Sequence, residues 1–313
     1  MKVFVIGATG LVGSYLIPKL IDKEHKVIAL TRSKDKMERI GNLGAQGILG
    51  NILKPESFLS ELPDDLDAIV LLAMPAVTPG ERVTKRRKQE LHSETTGFFR
   101  NSMDIALKYN IPVILPGGTS FNTREEEIAD ESWPIYRSGL TEIGKDTDDM
   151  VNHAIETGRP KVIQLLYGKI YGNGSMFRFM YDMMVNGRSK IIGDGQNCIP
   201  NVHASDAASA IVQAITKMPV GEKFIIADDT PVTQEEFTCY MAELMNKKKP
   251  GKIPGFLVRL VIGSDLYKVI SMDCKVSNAK AKRILSWELS FPSYREGLQN
   301  VIKEMSEKKP YFS

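Results

Sequence analysis

Val3-Phe4-Val5-Ile6-Gly7-Ala8-Thr9-Gly10-Leu11-Val12-Gly13 stands almost at the start of the chain. Four apolar residues, rich in branched side chains, read as a buried strand. Three glycines at spacings of three then form a tight turn. Leu11–Lys23 follows as a helix with Leu16, Leu20 and Ile21 along one side. Each glycine has a distinct physical task. Gly7 makes the turn, Gly10 lets a ligand approach the backbone, and Gly13 lets the helix pack on the strand. The backbone of Gly7, Thr9, Gly10, Leu11, Val12 and Gly13 is thus expected to cradle a pyrophosphate, helped by the positive end of the helix dipole.

Working outward, the same alternation repeats. Val27–Leu30, Gly47–Leu49, Ala68–Leu72, Pro112–Leu115 and Lys161–Leu166 read as further strands, with helices at Thr95–Tyr109 and Thr141–Glu156 between them. Short, nearly all-apolar strands alternating with helices imply an α/β fold with a doubly wound parallel sheet, the Rossmann arrangement. Residues 1–165 are assigned to this dinucleotide-binding domain. Residues 166–313 are assigned mainly to a smaller C-terminal α/β substrate lobe, with about 195–228 returning to the first domain. Pro18, inside the first helix, is expected to bend it without breaking it. The Met- and aromatic-rich run 176–186 reads either as helix packing or as the lining of a substrate pocket.

Composition narrows the class. The chain has 313 residues, 42% hydrophobic, 25% charged and a formal charge of +3, ordinary values for a globular protein with no acidic or basic bias. No apolar run approaches the roughly 18 residues of a membrane span; Phe256–Ile262 is short and is interrupted by Arg259. The opening residues resemble no signal peptide, so a cytoplasmic location is expected. The three cysteines are far apart and odd in number, which fits reduced thiols and no metal site. The basic run Arg82–Lys88 reads as an exposed face that steers an anionic small-molecule substrate, and not as a nucleic-acid patch.

The end of the second strand selects the dinucleotide. An acid there would hold the ribose hydroxyls of NAD; this chain has Thr31, followed by Arg32 and Lys34. A guanidinium suits a 2′-phosphate, so NADP is expected, with NAD as the alternative. Asn51 is expected at the adenine, and Ala73 and Met74 at the middle of the cofactor, because ligands lie at the carboxyl ends of parallel strands.

Later segments carry a family resemblance. Leu165-Leu166-Tyr167-Gly168-Lys169-Ile170-Tyr171-Gly172, Ile192-Gly193-Asp194-Gly195, Asn201-Val202-His203-Ala204-Ser205-Asp206-Ala207-Ala208 and Phe291-Pro292-Ser293-Tyr294-Arg295-Glu296-Gly297-Leu298 occur in the order and spacing of that family. With the glycine loop they make the chain resemble the extended short-chain dehydrogenase/reductases, the NAD-dependent epimerase/dehydratase group. The resemblance implies hydride transfer to a small polar substrate, a nucleotide sugar among them, and a homodimer through Thr95–Tyr109 and Thr141–Glu156. It also implies a Ser/Thr, a Tyr and a Lys, the last two spaced Tyr-x-x-x-Lys. That spacing is missing. In one register Lys145 is the lysine and Thr141 stands in the tyrosine place; in the other Tyr136 is the tyrosine and Leu140 replaces the lysine. Thr119 or Ser120 stands in for the serine. Two functions are therefore carried forward: an NAD(P)-dependent oxidoreductase or epimerase with a degenerate site, and a non-catalytic cofactor sensor.

Overall fold

The Val3–Ile6 run is buried throughout, as a strand covered on both faces requires. The computed structural model describes residues 1–123 and 127–307. The first half alternates β1 (Lys2–Ile6), α1 (Leu11–Asp22), β2 (Lys26–Thr31), α2 (Lys34–Asn42), β3 (Gln46–Leu49), β4 (Ala68–Leu71), α3 (Lys85–Tyr109), β5 (Val113–Gly118), α4 (Lys145–Thr157) and β6 (Val162–Tyr167). Then come β7 (Lys169–Tyr171), α5 (Ser175–Val185), β8 (Ile191–Ile192), β9 (Asn201–His203), α6 (Ala204–Lys217) and β10 (Lys223–Ile226). The chain closes with α7 (Gln234–Leu244), β11 (Lys252–Ile253), α8 (Gly255–Ile262), α9 (Ser264–Ile270), α10 (Ala279–Leu285) and α11 (Tyr294–Ser306).

Seven strands form one parallel sheet in the order β10-β6-β5-β4-β1-β2-β3. Between β1 and β4 the connections change direction, which opens a crevice at the carboxyl ends of the strands. Each face buries its own apolar core. Leu16, Leu20, Ile211, Ile215 and Trp287 cover one side; Phe58, Phe98, Phe99, Met103 and Val151 cover the other. The Rossmann reading of the sequence therefore holds.

A smaller, separate core gathers Tyr171, Phe177, Phe237, Tyr294 and Leu298. The joint between the cores is aromatic. Tyr171 pairs in register with His203, whose ring lies 5.5 Å from that of Tyr171 and 4.2 Å from that of Phe291. His203 Nδ1 accepts the Ser205 N–H at 3.2 Å and so caps α6. Burial pushes its pKa down to about 4. Asp206 is fully buried and accepts the N–H groups of Ser290 and Phe291 at 2.8 and 2.9 Å. These bonds hold the segment that leads into α11.

Several boundaries differ from the sequence reading. α3 begins at Lys85, not Thr95, behind an N-cap in which Thr84 accepts the Arg87 N–H. Its first turn is basic, which opposes the helix dipole, and lacks an apolar stripe; the basic run expected as an exposed face is helix from Lys85 on, with Arg87 and Lys88 only partly exposed. Thr141 does not begin an α-helix. Gly139–Gly144 is a 3₁₀ turn closed by a capping box between Ser138 and Thr141, and α4 starts at Lys145. α2 escaped detection because only Ile40 of its nine residues is buried. β5 runs on to Gly118, paired with β6. α1 continues through Pro18 unbroken. In the run 176–186, Phe177 and Met184 are core, as the packing reading expects, while Met176 is 48% exposed.

Asp228, just past β10, is 8% exposed. Burial, with the nearby charges of Asp229, Asp206 and Glu296, pushes its pKa up to about 8, against the pull of the Thr230 backbone. The folded chain thus keeps a proton that the unfolded chain releases near pH 4, so this group's contribution falls as pH rises from 4 towards 8. An amide cannot ionise. Asp228→Asn is expected to gain stability over the parent by about 1.4 kcal/mol per pH unit across that window. Urea unfolding of both chains from pH 5 to 8 checks this; a gap that does not widen with pH contradicts it.

Candidate functional site

The glycine loop is packed to its limit on two sides and open on the third. Gly7 has φ +94°, and a Cβ there would lie 2.4 Å from the Ala73 nitrogen. A Cβ on Gly13 would lie 2.3 Å from the Ala8 oxygen. One on Gly10 would meet only the Gly7 oxygen, at 3.3 Å. The first intrahelical bond of α1 runs from Ser14 N–H to the Gly10 oxygen at 3.0 Å. The N–H groups of Leu11, Val12 and Gly13 precede it. No side chain caps the helix and no acid stands in its first turn. Thr9 is half-buried at the apex. Unspent donors, a dipole end and open space above Gly10 fit a dinucleotide pyrophosphate.

At the end of β2, Thr31 is buried and its hydroxyl oxygen accepts the Ser33 N–H at 3.3 Å, so it closes a local turn. Arg32 is exposed and makes no ion pair among the described residues. Ser33 is the N-cap residue of α2, with no side-chain cap bond, so a second helix start lies beside Arg32. The sequence reading missed this helix, although Ser33 followed by Asp35 is an N-terminal signal. Asn51 Oδ1 is spent on the Leu53 N–H at 3.1 Å, leaving its NH2 group to donate to a base. The Ala73 N–H bonds the Ile6 oxygen at 3.0 Å, and Met74 is 43% exposed next to it. The loop, the end of β2 and the end of β4 thus lie along one edge of the sheet.

The sequence model of the NAD dependent epimerase/dehydratase family matches residues 3–227. The chain belongs to this family. It is 23% identical over 309 residues to the epimerase family protein SDR39U1 homolog of Arabidopsis thaliana, covering 97% of this chain and 87% of the relative. It is 24% identical to a sterol-4-alpha-carboxylate 3-dehydrogenase, decarboxylating, of Dictyostelium discoideum, covering 75% and 74%. In structure it is similar to human epimerase family protein SDR39U1 with NADPH, at TM-score 0.80, 18% identity and 97% and 99% coverage. It is equally similar to dTDP-glucose 4,6-dehydratase of Bacillus anthracis in complex with NAD, at TM-score 0.80, 18% identity and 100% and 98% coverage.

The residues that the sequence offers for proton handling lie as follows in the fold. Thr119, just past β5, donates its hydroxyl to the Tyr167 oxygen at 3.2 Å. Thr141 donates to the Ser138 oxygen at 3.0 Å and accepts the Ser138 N–H at 2.9 Å, so the cap uses its hydroxyl. Tyr136 is 47% exposed, and its backbone N–H holds the Ser120 oxygen at 2.6 Å. Its neighbour Arg137 grips Asp148 with two bonds, at 2.7 and 2.6 Å, and touches Ser120 Oγ at 3.4 Å. Lys145 is exposed and lines a groove of about 820 Å³ with Trp133, Arg137, Asp149, Asn152 and Lys223. No residue of the glycine loop lines that groove.

Another lysine does meet the loop. Lys169 lines a cavity of about 120 Å³ with Leu11, Tyr171, Met176 and Met180. Its Nζ lies 5.6 Å from the centre of the Phe237 ring. Lys169 is exposed at its surface, while desolvation by the surrounding protein holds its pKa below the usual lysine value. Its place after β6, at a carboxyl end of the parallel sheet, was the available sequence signal.

The glycines separate binding from folding. Gly10→Ala is expected to melt within about 2 °C of the parent but to bind NADPH at least about tenfold more weakly, because its methyl group occupies ligand space. Gly13→Ala is expected to lose about 1–3 kcal/mol of stability as well, because the methyl group meets fixed backbone. Thermal melts and calorimetric titration distinguish the two; equal behaviour of both variants contradicts the assignment.

Proposed function

We propose that this family member is an NADP(H)-dependent oxidoreductase or epimerase acting on a small polar substrate, a nucleotide sugar being one class that fits. The observation that carries the reading is the pairing of an uncapped glycine-loop helix with an unpaired Arg32 at the end of β2, where no acid stands. The donors of Leu11, Val12 and Gly13 would hold the pyrophosphate. Arg32 and the start of α2 would hold the 2′-phosphate, and the Asn51 amide would meet the adenine. Bound there, the nicotinamide supplies or accepts the hydride.

The protein's own part is positioning and proton movement. Thr119, just past β5, would turn its hydroxyl from the Tyr167 oxygen to the reacting oxygen, and Lys145 would supply the positive charge that favours the oxyanion. Tyr136 is the phenol that the alternative register offers. Thr141 has a hydroxyl in the tyrosine place, but an alkyl hydroxyl is far less acidic than a phenol at about 10. That difference, together with the cap that uses this hydroxyl, favours a second reading, a cofactor-binding sensor without turnover.

Arg32→Glu is expected to weaken NADPH binding by about 10- to 100-fold and NADH binding by much less, since only the former carries the 2′-phosphate. Calorimetry with both dinucleotides measures this, and an equal loss for both contradicts the NADP assignment. Nicotinamide absorbance followed over a panel of nucleotide sugars and simple carbonyls tests turnover. Lys145→Ala is expected to lower the rate by about 100-fold or more; an unchanged rate removes Lys145 from the chemistry. Tight binding with no turnover across the panel supports the sensor.

A further inference from the structure

The segment Gly255–Ile270 folds as a hairpin of α8 and α9 in which no residue is buried. On α8 the large apolar side chains point outward: Phe256 is 65% exposed, Leu257 41%, Leu260 68% and Val261 70%. Their spacing places them on one face of the helix. Isolated exposed apolar residues need no explanation, but four on one short helix form a patch that water does not favour. The hairpin is nevertheless fixed to the body. Gly139, at φ +62°, lies so close that a Cβ would sit 2.4 Å from the Asp265 oxygen. Lys88 Nζ bridges Glu142 and Asp265 at 2.6 and 3.0 Å.

The unpaired charges on this hairpin are basic. Arg259 on α8 and Lys268 on α9 are exposed, and neither makes an ion pair among the described residues. The bond from Lys88 to Asp265 brings the first turn of α3, with exposed Lys85, beside α9. Asp265, the acid on the hairpin, shares Lys88 with Glu142. An apolar helix face flanked by Arg259, Lys268 and Lys85 complements an anionic lipid surface, where the side chains enter the acyl boundary and the basic groups meet headgroups. A second copy of this chain fits less well, because a symmetric contact through this face would bring like charges together.

We propose that the α8–α9 hairpin docks the protein peripherally on an anionic bilayer. This claim is independent of the cofactor reading. The test is co-sedimentation of the full chain with vesicles of phosphatidylcholine alone and with about one-third phosphatidylserine. The parent is expected to bind the anionic vesicles at least about tenfold more tightly than the neutral ones, and less tightly as salt is raised. Phe256→Ser/Leu260→Ser is expected to lose about tenfold or more of that binding while keeping the parent's melting temperature and NADPH affinity, since both side chains are exposed. Absence of vesicle binding by the parent overturns the proposal, as does equal binding by the double variant. A parent dimer in light scattering that the double variant abolishes assigns the face to a second copy and also overturns it.

Discussion

The carbonyl of Ala8 and the α-carbon of Gly13 approach so closely that no side chain fits between them, a methyl group there falling 2.3 Å from the oxygen. That contact sets the first turn of α1 against the end of β1. Gly7 does the same against β4, where a methyl group would fall 2.4 Å from the Ala73 nitrogen. Two strands and a helix are thereby held in one arrangement, with three N–H groups aimed out of the sheet edge. The rest of the large domain supports this geometry. The sheet extends on both sides of β1 and β4, and each face has its own apolar core.

The fold was legible where side-chain pattern and burial coincide. Val3–Ile6, Ala68–Leu71 and Val162–Tyr167 are buried along their whole lengths, and their apolar runs show it. It was illegible where structure forms without burial. α2 has one buried residue, and α8 and α9 have none. The amino-terminal turns of α3 carry Lys85, Arg86, Arg87 and Lys88, a pattern that a helix start does not favour and that Thr84 and the ion pairs of Arg87 stabilise.

The candidate site divides the same way. The cofactor loop is read from glycine alone, because backbone constraints appear directly in the sequence. The proton-handling side is not, because it depends on where side chains from separate segments point. In the register that makes Lys145 the family lysine, the Thr141 hydroxyl is drawn into the Ser138 cap, and Lys145 opens onto a groove that the glycine loop does not line. Lys169, by contrast, shares a cavity with Leu11; its place just past β6 marks a carboxyl-end position, but the shared cavity depends on how distant segments come together. The Arg137–Asp148 pair, joined across eleven residues, adds charge beside Ser120 in the same unannounced way.

The central claim is that the main-chain donors at the start of α1 bind a dinucleotide phosphate. Amide-resolved hydrogen exchange with and without NADPH tests it most directly. The N–H groups of Leu11, Val12 and Gly13, which lie outside the helix ladder, are predicted to exchange markedly more slowly when NADPH is present, with no such change on adding adenosine. Unchanged exchange at these three amides under saturating NADPH would contradict the account.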